Sequence, residues 1–248
     1  MLEFRNLSIR YRGAPPLFSD VSLTLSAGIT VLLGKNGAGK SSLLHAVLGE
    51  APYAGEILLN GQDLARLPAP ERAKSLALLP QQLPAPTLCA KEIVALGFSP
   101  FCTRLSQKEW ERVEKILQDL QISHLADRPA ITLSGGERQR VFLGMMLAQN
   151  TPILLLDEPA TYLDAPHHAL LCDILQKERA KGKHILLVMH DVTRALALAD
   201  RVLVLNDGKI AFDGTPDECI EARIPERVFS LKRYDATDES GNTVRFFG

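Results

Sequence analysis

No stretch of these 248 residues approaches the roughly 18–20 consecutive apolar residues that a bilayer span requires. The opening residues Met1 to Asn6 lack a basic-then-apolar leader pattern, so a chain that is not exported is expected. Cysteine is sparse and scattered: Cys89, Cys102, Cys172 and Cys219 form no Cys-x-x-Cys pair. That spacing excludes a disulfide framework or a zinc ribbon and predicts free thiols in a reducing compartment. An excess of either sign of charge is also missing, with 28 Lys and Arg against 29 Asp and Glu for a formal net charge of −1. A polyanion-binding surface would need clustered Lys and Arg, so no nucleic-acid partner is expected.

What remains is an ordinary globular composition, long enough to bury a substantial core. Leu7, Ile9 and Tyr11 alternate with polar residues as in a strand, and Ile29 to Leu33 is a buried strand that runs straight into a glycine-rich turn. Ser41 to Leu48 follows as a helix stopped by Gly49. Asn60-Gly61 and Asp207-Gly208 are hairpin turns. Ser75 to Leu79, Ile153 to Leu156, Ile185 to Met189 and Val202 to Leu205 read as further strands, with a helix from about Pro166 to Lys181. Between Leu83 and Gln149 there is little strand character. Ser106 and Glu109 form a capping box there, ahead of Trp110, Val113, Leu117 and Leu120 at helical spacing. The pattern predicts an α/β core with a helical insertion, and only the tail after about Tyr234 reads as loosely structured.

Two segments carry chemistry in common with many phosphate-handling enzymes. Gly34-Lys35-Asn36-Gly37-Ala38-Gly39-Lys40-Ser41 lies after a strand and before a helix, the context of a P-loop. Its glycines let backbone N–H groups wrap phosphates, and the helix N-terminus adds its dipole. Lys40 would neutralise the β- and γ-phosphates, and Ser41 would hold Mg²⁺. The second segment is the strand Ile153 to Leu156, which delivers Asp157 and Glu158 at its C-terminal end. Strand alternation gives them separate tasks: Asp157 suits the Mg²⁺ shell, and Glu158 suits polarising a water.

A third segment narrows the class. Ser134-Gly135-Gly136-Glu137 reads as a capping box that opens a helix from Arg138 to Ala148. A capped start with two glycines also exposes N–H donors able to receive a phosphate. With Leu133 before it and Arg138-Gln139-Arg140 after it, this segment matches the signature sequence of ATP-binding cassette (ABC) proteins. The chain resembles the nucleotide-binding subunit of an ABC transporter over nearly all its length.

That resemblance implies an α/β fold: a P-loop NTPase core with an antiparallel β-subdomain and a helical (signature) subdomain. Residues 1–82 and 150–233 would form the catalytic core with the β-subdomain, 83–149 the helical subdomain and 234–248 a C-terminal tail. It implies a homodimer formed with ATP, in which Ser134, Gly135, Gly136 and Glu137 of one copy close over a nucleotide. That nucleotide would be held by Gly34 to Ser41 and Ser42 of the other copy. Gln81 resembles the Q-loop glutamine that touches Mg²⁺ and the attacking water, with Gln82 as the neighbouring alternative. His190 resembles the switch histidine that contacts the γ-phosphate and supports Glu158. Asp164 resembles the D-loop aspartate that communicates across the dimer. Tyr11, 34 − 11 = 23 residues before Gly34, falls where the family places an adenine-stacking aromatic, a strand-face core residue being the alternative. Tyr162 is bulky where many relatives carry a smaller residue, with altered contacts across the interface as the expected consequence.

The resemblance further implies ATP hydrolysis on the cytoplasmic face of the membrane, driving separate integral permease subunits, with a substrate-binding protein as third component. The segments around Leu78 to Gln81 and Asp200 to Leu205 are similar to importers of ferric siderophores, haem or cobalamin. Zinc, manganese or molybdate importers are the alternatives. ABC ATPases of DNA repair carry long coiled coils between the two motifs, whereas Ser41 to Ser134 spans only 134 − 41 = 93 residues without sustained heptads. Those of translation usually hold two cassettes in one chain, and this chain has one. Pro84, Pro86, Leu88, Phe98 and Phe101 would supply either lobe core or the surface that meets the permease.

Overall fold

Alternation fails at one place near the start, and the backbone there shows why. In the strand Leu2–Ile9, Leu2, Phe4, Leu7 and Ile9 are all buried, although Phe4 and Leu7 are three residues apart. The pairing register shifts between them on both flanking strands, and Asn6 takes a left-handed φ of 48°. An irregularity of this kind rotates the following side chains back to the core face. Tyr11 lies beyond the strand, which ends at Ile9.

The computed structural model describes residues 1–237 and 243–248. The chain forms two units, one of Met1–Arg66 with Leu186–Gly248 and the other of Leu67–Ile185. In the first, Leu2–Ile9 pairs antiparallel with Phe18–Leu25 and with Tyr53–Leu59, and the short strand Gln62–Asp63 completes this sheet of four strands. The turn into it is Asn60-Gly61, with φ of 52° and 80°. Beside that sheet in the sequence runs Gly28–Gly34, buried almost throughout and parallel to Arg201–Asn206. Val31 sits opposite Val202 and Leu33 opposite Val204. Burial on both faces explains the continuous apolar run. Asp207 and Gly208, both at positive φ, turn the chain into Lys209–Gly214.

Helix Lys40–Leu48 follows the first parallel strand and ends at Gly49, whose left-handed backbone lets its N–H reach Ala46 and His45 carbonyls. Further on come the helices Val192–Leu198, Pro216–Glu221 and Ile224–Phe229. The tail, expected to be loose, instead carries a hairpin of Arg233–Thr237 with Thr243–Phe247. The Phe247 N–H donates to Thr193 Oγ1 at 2.9 Å, fastening that hairpin to the helix after His190.

The second unit begins with helix Ala69–Ser75, for which the sequence offered no apolar stripe, so Ser75 closes a helix rather than opening a strand. The strand itself is Leu76–Leu79, parallel to Ile153–Asp157. Helices Ala90–Leu96, Gln107–Asp119 and Gly135–Gln149 pack on one another around Val94, Val113, Leu117, Leu120 and Val141. A β-carbon at Gly144 would come within 3.0 Å of Leu120 and Val94, so glycine lets these helices approach. Ser106 and Glu109 form the expected capping box. Helix Ala165–Ala180 ends beside a buried ion pair, Lys183 Nζ to Glu178 at 2.6 Å, with Lys183 also donating to Asn150 at 3.0 Å. The architecture is α/β, with an antiparallel β-sheet, parallel strands leading into a P-loop and a helical subdomain.

Candidate nucleotide site

In the first unit the strand Gly28–Gly34 delivers the loop 35–39 to the start of helix Lys40–Leu48. Gly37 and Gly39 have φ of 79° and 94°, a backbone that side-chain-bearing residues seldom adopt. Gly39 is the N-cap and has no side chain to satisfy the helix, so the first turn presents backbone amides to the loop. Gly34 is pressed from the other side: a β-carbon there would lie 2.7 Å from the Leu205 carbonyl. Lys40, only 6% exposed, donates to the carbonyls of Gly34 at 2.8 Å and Lys35 at 3.1 Å. The ammonium therefore lies folded against the carbonyls of the loop.

Around that loop, Lys35 and Asn36 are exposed, Ala38 donates its N–H to the Lys35 carbonyl, and Ser41 and Ser42 occupy the first helical turn. Tyr11 is 41% exposed rather than part of the core, and its hydroxyl donates to Ser42 Oγ at 3.2 Å. His190 is exposed at the end of a buried strand, just ahead of Asp191, which caps helix Val192–Leu198 by accepting from the Arg194 N–H.

In the second unit, Asp157 is the last residue of Ile153–Asp157 and is 3% exposed. Glu158 follows with a left-handed φ of 49°, uncommon for a residue of its kind. Gln81 Nε2 donates to Glu158 Oε2 at 2.8 Å, so the two positions that the sequence placed 77 residues apart meet directly. Gln82 is exposed beside it and makes no such bond to Glu158.

Also in the second unit, Ser134 caps helix Gly135–Gln149 in both directions. Its Oγ accepts from the Glu137 N–H at 3.3 Å, and its own N–H and hydroxyl donate to the Glu137 carboxylate, each at 2.8 Å. These bonds hold the Glu137 carboxyl below the usual carboxylate range. Asp164 caps helix Ala165–Ala180 by accepting from the His167 N–H at 3.1 Å, and that bond lowers its pKa as well. Ser134, Gly135, Gly136, Glu137 and Asp164 line one cavity of about 330 Å³. Arg140, Tyr162 and His167 complete its wall. Sequence reading had assigned no site role to Arg140 or His167. For His167 a signal existed, since Asp-x-x-His is the spacing of an N-cap and the residue it holds.

Within the first unit, a glycine-rich loop between a parallel strand and a helix is the geometry of the P-loop class of nucleoside-triphosphate-binding proteins. A family model described as ABC transporter matches residues 18–161. The hemin import ATP-binding protein HmuV of Plesiomonas shigelloides is 38% identical over 252 residues, covering 94% of each chain. The ferric enterobactin transport ATP-binding protein FepC of Escherichia coli is 38% identical over 209 residues, or 82% of this chain and 77% of its own. A solved structure of the ATP-binding subunit of an ABC transporter superposes with a TM-score of 0.80 at 26% identity, covering 93% of both chains. The chain belongs to the ABC transporter family, as an ATP-binding subunit with ATPase activity.

Proposed function

We propose that this subunit powers import of a ferric siderophore or haem by hydrolysing ATP in a head-to-tail homodimer docked on separate membrane permeases. A substrate-binding protein would deliver the cargo from the far side. The cargo reading is supported by what relatives are named for: siderophore transport, hemin import and ferric enterobactin transport. A peripheral place at the cytoplasmic face beside a permease is supported by relatives named as import ATP-binding proteins.

The observation that carries the mechanism is the Gln81–Glu158 hydrogen bond. It fixes the carboxylate that would accept a proton from water attacking the γ-phosphate. Lys40 and the amides of Gly37 to Ser41 would hold the β- and γ-phosphates. His190 would contact the γ-phosphate from the end of its strand, and Tyr11 would stack on the adenine. Ser134, Gly135 and Gly136 would grip the γ-phosphate bound to the partner copy, with Glu137 and Asp164 shaping that face.

Ser41, Gln81 and Asp157 offer a hydroxyl, an amide oxygen and a carboxylate, the hard oxygen donors that suit Mg²⁺. Among the described residues no group of three or more His, Cys, Asp or Glu forms a dedicated cage, which fits an ion shared with phosphate oxygens. Bound there, Mg²⁺ would neutralise charge developing on the transferred phosphoryl group.

The test is genetic and biochemical together. A strain lacking this chain should lose growth on a ferric siderophore or on haem as sole iron source, and wild type but not Glu158→Gln should restore it. Undiminished growth on both, with cobalamin, zinc, manganese or molybdate uptake impaired instead, would overturn the cargo reading.

A further inference from the structure

Tyr11 lies past the strand that ends at Ile9, yet the loop carrying it is firmly tied. The Ala14 N–H donates to the Tyr11 carbonyl at 3.1 Å, closing a turn in which Gly13 takes a φ of 80°, a backbone that favours glycine. Arg10 Nε donates to the Ala14 carbonyl at 3.1 Å. The Leu17 N–H donates to the Ile9 carbonyl at 2.9 Å and draws the two ends of the loop together. Beyond it the chain rests on the glycine-rich loop: a β-carbon at Gly39 would meet the Phe18 ring at 3.0 Å and Leu17 at 3.2 Å.

From that scaffold the Tyr11 hydroxyl donates to Ser42 Oγ at 3.2 Å. Ser42 belongs to the first turn of helix Lys40–Leu48, two residues after Lys40, so the acceptor sits on a regular element. The Tyr11 side chain is thus held at its backbone by the turn and at its tip by the helix. The residue is still 41% exposed, which leaves aromatic surface open to a ligand. A serine hydroxyl has one proton and two lone pairs, so accepting from Tyr11 leaves the Ser42 proton free for another acceptor.

We propose that Ser42 is a positioning residue for the nucleotide base: its hydroxyl holds the Tyr11 ring in the place where the base stacks. The proposal rests on the stacking role given to Tyr11 above. A ring already fixed costs less to order on binding than one that must be immobilised by the ligand. The phosphate helix and the base platform then form one preassembled unit. Their spacing is set before a nucleotide arrives.

The experiment measures the Kd of the full-length protein for a non-hydrolysable ATP analogue by isothermal titration. Tyr11→Phe keeps the ring and loses the bond, and Ser42→Ala loses the same bond from the other side. Each should weaken binding about 3–10-fold, the scale of one hydrogen bond. The double variant should be no weaker than either single one, because both remove one shared interaction. Ser42→Thr keeps a hydroxyl and should bind as wild type does. Losses that multiply in the double variant would show that Ser42 acts on the nucleotide independently of Tyr11, and would overturn the proposal. A Ser42→Thr variant as weak as Ser42→Ala would overturn it too. Tyr11→Ala tests the stacking role itself and should cost about 10–100-fold. If Tyr11→Ala binds as wild type does, stacking fails first and the positioning role falls with it. If Tyr11→Ala is weak while Tyr11→Phe matches wild type, only the role of Ser42 fails.

Discussion

Gln81 and Glu158 are held together by a 2.8 Å hydrogen bond from the amide Nε2 to the carboxylate Oε2. Replacing Glu158 by Gln keeps its length but removes the carboxylate proposed as the base. Steady-state ATPase activity should fall by at least about 100-fold, in line with the loss of general-base assistance. ATP binding should persist and yield a dimer that is stable by size-exclusion chromatography. A variant that turns over at the wild-type rate would remove Glu158 from the mechanism.

Lys40 is a buried cation that ties the glycine-rich loop to itself through the Gly34 and Lys35 carbonyls, and the proposed function sets it against the phosphates. Lys40→Ala should weaken ATP binding by about 10–100-fold, the scale of a lost charge-assisted bond. Isothermal titration with a non-hydrolysable ATP analogue measures this directly. Unchanged affinity would argue against the charge in the cradle.

Ser134 caps its helix, and the proposed function gives it a second task, facing a phosphate held by the partner copy. Ser134→Ala and Ser134→Arg both remove the acceptor for the Glu137 N–H. Each should cost about 1 kcal/mol, or about 2–4 °C in thermal midpoint for a chain of this size. Their activities should diverge: Ser134→Arg fills the cavity and should abolish both ATP-driven dimerisation and turnover, while Ser134→Ala should retain part. Equal activity in the two would mean that capping is the only task.

Glu178 gives the stability a defined pH response. Burial raises its pKa, but the ammonium groups of Lys181 and Lys183 outweigh that and leave it below the usual carboxylate value. A depressed native pKa contributes stability above the unfolded value near about 4.3, and this is lost as pH falls through the native one. The thermal midpoint should therefore drop on acidification below about pH 4.5 and should do so less steeply in Glu178→Gln. At neutral pH that variant leaves Lys183 buried without its partner charge, at a cost of about 3–5 kcal/mol. Parallel slopes for the two proteins across the acid range would contradict the assignment.

Local chemistry was readable in the sequence because its causes are local. Gly49, Asn60-Gly61 and Asp207-Gly208 adopt the left-handed backbones that their residue types favour. The capping boxes at Ser106 and Ser134 are decided within three residues. Long-range arrangements were not readable. Helix Ala69–Ser75 buries none of its residues, so it leaves no apolar stripe to detect. Arg233–Thr237 is exposed at every position, and its pairing depends on a partner strand rather than on alternation. The irregularity at Asn6 sets Leu2 and Phe4 out of phase with Leu7 and Ile9, so no single period-two pattern spans the strand, which ends at Ile9 before Tyr11. Tyr162 against Gly135 joins residues 27 positions apart, 162 − 135, and no spacing rule announces it.

Glu158 performs in a conformation that most side chains avoid, since its backbone φ is 49°. Branched residues such as valine or isoleucine would be disfavoured there by backbone sterics alone. A saturation library at this codon, scored only for soluble expression, should already be thinned of them. Asparagine, aspartate and glycine should survive that first filter in numbers. Inactive descendants of this chain would thus be expected to drift toward those few letters, leaving a record of the backbone after the chemistry has gone.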